Sequence, residues 1–165
     1  AASLALANGG RGGETCGKVR PSRGCTGGTG DPMLKRIVAH VSGRPVILTD
    51  TITKLDAADT GAVVVSASHG GTSSAAFALE HPFGLVVFND AGVGKDRAGI
   101  AALDILEEAG VAAATVGHDS ARIGDAADMW ENGIVSHVNA RAAGLGLGPG
   151  RPLRDAVLGL RLGDT

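Results

Sequence analysis

Ala62-Val63-Val64-Val65-Ser66-Ala67-Ser68-His69-Gly70-Gly71 opens as an unbroken apolar run and closes on small polar residues. Leu85-Val86-Val87-Phe88-Asn89-Asp90-Ala91-Gly92 repeats that design. A short run rich in β-branched residues, with no polar alternation, suits a strand buried on both faces, as strands of parallel sheets are. Between the two runs, residues 73–80 suit a short helix. His81-Pro82 stops it, because the residue before a proline avoids helical angles. Strand, helix and strand in this order make a βαβ unit.

The same alternation extends in both directions. Toward the N-terminus a strand is expected within residues 45–49, preceded by another over 36–41, with Ser42-Gly43 as the turn between them. Toward the C-terminus, Ile100, Leu103 and Leu106 share one side of a helix over 97–109, closed by Gly110. Residues 111–116 read as the next strand. A helix is expected near 121–132. A second is expected over 134–145, where Val135, Val138, Ala142 and Leu145 recur at helical spacing. A short helix follows Pro152, since proline suits a first turn. The fold expected is a three-layer α/β domain: a mainly parallel sheet of four or five strands, helices on both faces and right-handed crossovers.

Residues 33–165 are expected to form that single domain. Residues 1–32 hold nine glycines, with no apolar periodicity. Such a stretch buries too little to offset its ordering entropy, so a disordered extension is expected there. Apolar residues make up 44% of the chain, yet there are only three Phe, one Trp and no Tyr. The core must therefore be aliphatic. The net charge is -2 and the 15 basic residues are scattered, so neither a basic stripe nor stacking aromatics favour a nucleic-acid partner. No apolar run approaches the ~20 residues of a membrane span. Residues 1–7 are too short, and lack the basic flank, for a signal peptide. The two cysteines, Cys16 and Cys25, both sit in the extension, and a reduced, cytoplasmic setting is expected.

Ligands of open parallel sheets bind beyond the carboxyl ends of the strands. All four expected strand ends carry polar, titratable residues: Asp50 to Lys54, Ser66 to Gly71, Asn89 to Asp96 and Gly117 to Asp125. Single loops of this kind can simply cap helices or make turns; their coincidence at one edge points to a site. His69, followed by two glycines, lets backbone approach a ligand closely, and imidazole is the side chain suited to proton transfer near neutral pH. His118 is similarly placed, with Asp119 as a neighbour it could pair with. Partial burial of Asp90 is expected to raise its pKa. Lys95 and Arg122 supply positive charge for an anionic group. Ser68, Gly70, Gly71, Asn89 and Ser120 complete the expected substrate contacts.

Several chemistries fail on spacing. Gly92-Val93-Gly94-Lys95 lies where a phosphate loop would need glycine at 89 and serine or threonine at 96, but Asn89 and Asp96 stand there. No dinucleotide fingerprint follows a strand and no G-x-S-x-G elbow is present. His69, Asp90 and His118 lack the paired spacing typical of metal ligands. Neither a cofactor nor a metal is therefore expected.

His69-Gly70 after one strand and the small-residue turn at 89–91 after the next resemble the layout of caspase-like cysteine peptidases. The position matching their cysteine falls in Asn89-Asp90-Ala91-Gly92, so cysteine proteolysis is not implied. The set Ser68-His69-Gly70-Gly71, Phe88 to Gly94 and Ser120 to Asp125 is similar to bacterial α/β proteins of uncharacterised activity. From the residues themselves, the expected function is acid–base chemistry on a small anionic metabolite. His69, Asp90 and His118 are its catalytic groups, and hydrolysis of an amide or ester-like bond is the first choice. Isomerisation or elimination on a similar substrate, and non-catalytic metabolite binding, are the alternatives. The helix expected over 134–145 offers a face on which a homo-oligomer could pack.

Overall fold

The computed structural model describes residues 34–163. The extension expected over 1–32, with its cysteines, lies outside the described residues. The chain runs β1 (Lys35–Val41), β2 (Arg44–Thr49), β3 (Val63–His69), α1 (Thr72–Ala78), β4 (Leu85–Asn89), α2 (Ala101–Glu108), β5 (Ala113–Val116), α3 (Ala126–Asn132), β6 (Val135–Val138), α4 (Ala140–Gly144) and α5 (Leu153–Leu158). It is an α/β fold on one sheet of six strands, laid side by side in chain order.

The sheet is mixed, which corrects the expectation of four or five mainly parallel strands. β2 to β5 are parallel, but β1 runs antiparallel to β2 and β6 antiparallel to β5. The β1–β2 hairpin follows from its turn. Ser42 and Gly43 both have positive φ, 49° and 75°, as a mirror-image two-residue turn requires, and its twist matches that of paired strands. β6 replaces the first part of the helix expected over 134–145. Asn139 breaks that helix: its Oδ1 accepts the Ala142 amide at 2.9 Å, capping α4, and also the Ala113 amide at 3.0 Å. Its Nδ2 donates to the Val111 carbonyl at 2.9 Å. Ahead of Asn139, Val135–Val138 pairs with β5 and satisfies backbone groups that would otherwise face an open edge.

Alternate residues of each strand feed opposite faces. Val46, Leu48, Val63, Val65, Leu85, Val87, Ala114 and Val116 join one buried cluster with residues of α3, α4 and α5, Met129, Trp130, Ala142 and Leu153 among them. Ile47, Val64, Val86, Phe88 and Ala113 join the other, with Ala75, Ala78, Leu103 and Leu106 of α1 and α2. The sharing out of helices has a topological reason. Parallel strands in sequential order, joined by crossovers of one hand, place every connecting helix on the same face. Only the segments after β5 are then left to cover the other. No helix among the described residues is long and apolar enough to cross a membrane. Because β2 to β5 share one direction, their carboxyl ends open at one edge, where the polar loops gather.

Candidate functional site

Asp90 follows β4 and is tied to β5 by its amide, which donates to the Val116 carbonyl at 2.9 Å. Its side chain is 6% exposed. One oxygen, Oδ1, accepts the Gly92 amide at 2.9 Å, the His118 amide at 3.0 Å and His118 Nδ1 at 3.0 Å. Burial is the largest single influence on this carboxyl and pushes its pKa up. The Gly92 and His118 amides, with the Ser136 hydroxyl and the His118 ring, outweigh it and hold the pKa below the usual carboxylate range. The expected upward shift is thus reversed, and Asp90 is a buried carboxylate. The His118 ring is 59% exposed. Donation from Nδ1–H to Asp90 leaves the Nε2 lone pair available. Its partner is this distant carboxylate rather than the adjacent Asp119.

The loop beside this pair has an unusual backbone. Ala91, Gly92, Val93, Gly94, Asp96 and Arg97 all have φ between 49° and 76°. Val93, at 65°, is a β-branched residue in the left-handed region, a conformation that costs on the order of 1–3 kcal/mol and persists only where the surroundings impose it. Here the Val93 amide donates to the Asp90 carbonyl at 2.7 Å and the Gly99 amide to the Val93 carbonyl at 2.7 Å. The Val93 side chain packs against the α1–α2 core cluster. A Cβ on Gly99 would overlap the Asp90 carbonyl, so the loop closes this tightly only with glycine there. Asp96 and Arg97 interrupt the helix expected over 97–109: residues Lys95–Ile100 form a kinked 3-10 segment and α2 begins at Ala101.

His69 ends β3, exposed, with its Cα paired to that of Asn89. β3 and β5 flank β4, so His69 and His118 leave strands two spacings apart, about 10 Å. His69 Nδ1 accepts the Gly71 amide at 3.1 Å, which places the ring proton on Nε2. The Gly70 amide donates to the Asn89 carbonyl at 2.9 Å. The amides of both glycines are therefore engaged within the fold. A Cβ on Gly70 would lie 2.7 Å from the Gly99 carbonyl oxygen, so this glycine serves close packing of the two loops.

Asn89 is fully buried, with both ends of its amide in use: Oδ1 accepts the Ala91 amide at 2.9 Å and Nδ2 donates to the Ala121 carbonyl at 3.1 Å. Ser120 donates to the Gly117 carbonyl at 2.8 Å and accepts the Ile134 amide at 2.9 Å, tying its loop to the start of β6. Ser68 Oγ accepts the Ile52 amide at 3.1 Å. Lys95 and Arg122 are exposed, and neither side chain forms an ion pair with a described residue. Ser136, beside the Asp90 carboxylate, went unseen in the sequence because it lies within the segment read as helix.

A cavity of about 340 Å³ opens at the same edge, with Ser68 and His69 in its wall but not Asp90, Lys95, His118 or Arg122. Cavities of about 350 and 370 Å³ lie at the β1–β2 turn and beside α2, so placement rather than size distinguishes the one at the strand ends. Among the described residues, no three His, Cys, Asp or Glu side chains gather as a metal shell. No protein-family model, curated protein or solved structure matches this chain, and what the site can do is read from its own geometry.

Proposed function

We propose that the carboxyl edge is the active site of a hydrolase acting on an amide or ester-like bond of a small anionic metabolite, with His118 as the proton-transfer group. One observation carries this reading: a buried carboxylate, Asp90, holds Nδ1 of an exposed imidazole at 3.0 Å. In that arrangement the carboxylate orients the ring and stabilises its protonated form, while Nε2 is the base. His118 Nε2 takes a proton from a water as the water's oxygen attacks the substrate carbonyl carbon. The resulting imidazolium gives that proton to the leaving nitrogen or oxygen as the tetrahedral intermediate collapses. Asp90 acts through His118 and does not itself transfer the proton. Lys95, on the loop after β4, and Arg122, on the same loop as His118, supply charge for the substrate's anionic group. The strained backbone of residues 91–97 supports a functional reading, because such conformations concentrate where a loop's geometry is part of a mechanism.

The test is turnover of a panel of carboxylate-bearing amides and esters by the full chain and by His118→Asn. Loss of a general base costs about 10²- to 10⁴-fold in rate. The variant should retain its fold and its affinity for the substrate. A wild-type chain that converts no member of the panel, or a variant as fast as wild type, overturns the proposal.

A further inference from the structure

The cavity at the end of β3 differs in character from the Asp90–His118 pair. Its volume, about 340 Å³, falls within the range of small-molecule sites. Phe77 of α1 and Ile123 of the β5–α3 loop form part of its wall, and they are 41% and 53% exposed. Apolar side chains left in water in the wall of a cleft gain by covering.

The polar side chains of the cleft are serine and threonine hydroxyls, the His69 ring and a single carboxylate. No lysine or arginine lines it. Its one carboxylate, Asp50, is engaged on both oxygens, by the Leu34 amide at 2.7 Å and the Ala126 amide at 3.0 Å. His69 accepts at Nδ1 and so has Nε2–H left to donate. Ser68 Oγ accepts from Ile52 and keeps its O–H for an acceptor. An anion entering this cleft would lose water without meeting a cation, which is costly. A neutral carbonyl flanked by an apolar group would meet two donors, His69 Nε2–H and the Ser68 hydroxyl, and the apolar side chains of Phe77 and Ile123.

The cleft is also joined to the proposed reaction centre. The loop that begins at His118 runs across the strand ends: the Ala121 carbonyl accepts from Asn89 beside Asp90, and the Gly124 amide donates to the Ala67 carbonyl at 2.9 Å beside Ser68. We infer that this cleft is a recognition pocket for the uncharged end of the substrate, an aryl or branched alkyl group carried on a carbonyl. His69 and Ser68 hold the carbonyl, and Phe77 and Ile123 enclose the apolar group. The inference rests on the hydrolytic reading above and names the part of the substrate that Lys95 and Arg122 do not bind.

Benzamide, benzoate and benzylammonium separate the alternatives, since they share a ring and differ in charge. Amide and methyl NMR spectra of the full chain should show saturable shifts with benzamide at Ser68, His69, Phe77 and Ile123. Benzoate and benzylammonium should bind at least tenfold more weakly. Phe77→Ala and Ile123→Ala, both at exposed positions, should each weaken benzamide binding at least fivefold without lowering the melting temperature. His118→Asn should leave benzamide binding unchanged while slowing turnover of the anionic substrate by about 10²- to 10⁴-fold, so the two readings fail separately. Benzamide bound by His118→Asn as by wild type, with no hydrolysis of the carboxylate-bearing panel by either, would retain the pocket and refute the hydrolase. Equal binding of all three probes, or shifts outside the cleft, would overturn the pocket.

Discussion

Replacing Asp90 with asparagine removes one charge and almost no volume. In the native protein Asp90 Oδ1 receives three N–H groups, from Gly92 and from the amide and ring of His118, at 2.9–3.0 Å. A hydrogen bond to a charged group contributes about 1.5–3 kcal/mol and a neutral one about 0.5–1.5. Each bond should therefore weaken by about 1 kcal/mol, and the three together by about 3. Relief of burying a charge offsets part of that loss, leaving a net destabilisation of about 2 kcal/mol, or roughly 4–8 °C in melting temperature at this chain length. The pH dependence is the sharper test. Because the folded carboxyl is held below its ordinary value, its contribution is complete above the unfolded carboxyl's pKa of about 3.9 and is lost as pH falls through the folded value. Urea unfolding of wild type and Asp90→Asn should thus differ by about 2 kcal/mol at pH 7 and converge as pH drops below about 4. A gap that stays constant over that range, or a variant as stable as wild type at pH 7, would refute the reasoning.

Asn139→Ala removes the cap of α4 and the partner of the buried Ala113 amide, and should cost about 3 kcal/mol in urea unfolding; a cost below 1 kcal/mol would show that β6 and α4 hold without it. Gly70→Ala sets a methyl group against the Gly99 carbonyl and should destabilise by about 1–3 kcal/mol, with NMR shifts reaching Asp90 and His118 through the displaced loop. Arg122→Ala, at an exposed position, should change stability by less than about 0.5 kcal/mol. Its affinity for an anionic substrate should fall at least tenfold by calorimetry, and unchanged affinity would remove Arg122 from the site.

Much of the scaffold was readable from local pattern. The apolar runs ending at His69 and Asn89, the hairpin at Ser42-Gly43, the helix before Pro82 and the short helix after Pro152 all appear in the structure, because each rests on side-chain burial or backbone sterics that act within a few residues. Residues 134–145 were not readable in this way. Val135 and Val138 satisfy helical spacing, but pairing with the open edge of β5 and the cap at Asn139 decide the conformation, and both involve partners remote in sequence.

The site divides along the same line. Sequence alone places His69, Asp90 and His118 at one edge of the sheet, because parallel strands share a direction. Their roles are tertiary. The partner of His118 is set by where the β4–α2 loop, threaded through left-handed angles and closed on Gly99, delivers a carboxylate lying 28 residues earlier. The charge state of Asp90 is a balance between burial and hydrogen bonds, and sequence displays only the apolar run that buries it. Asn89 and Ser120 carry the same polar groups as ligand-binding residues do. Only the folded neighbours, the Ala91 and Ile134 amides and the Ala121 and Gly117 carbonyls, commit those groups to the scaffold, because a hydrogen bond between distant segments exists only once the chain has closed around it.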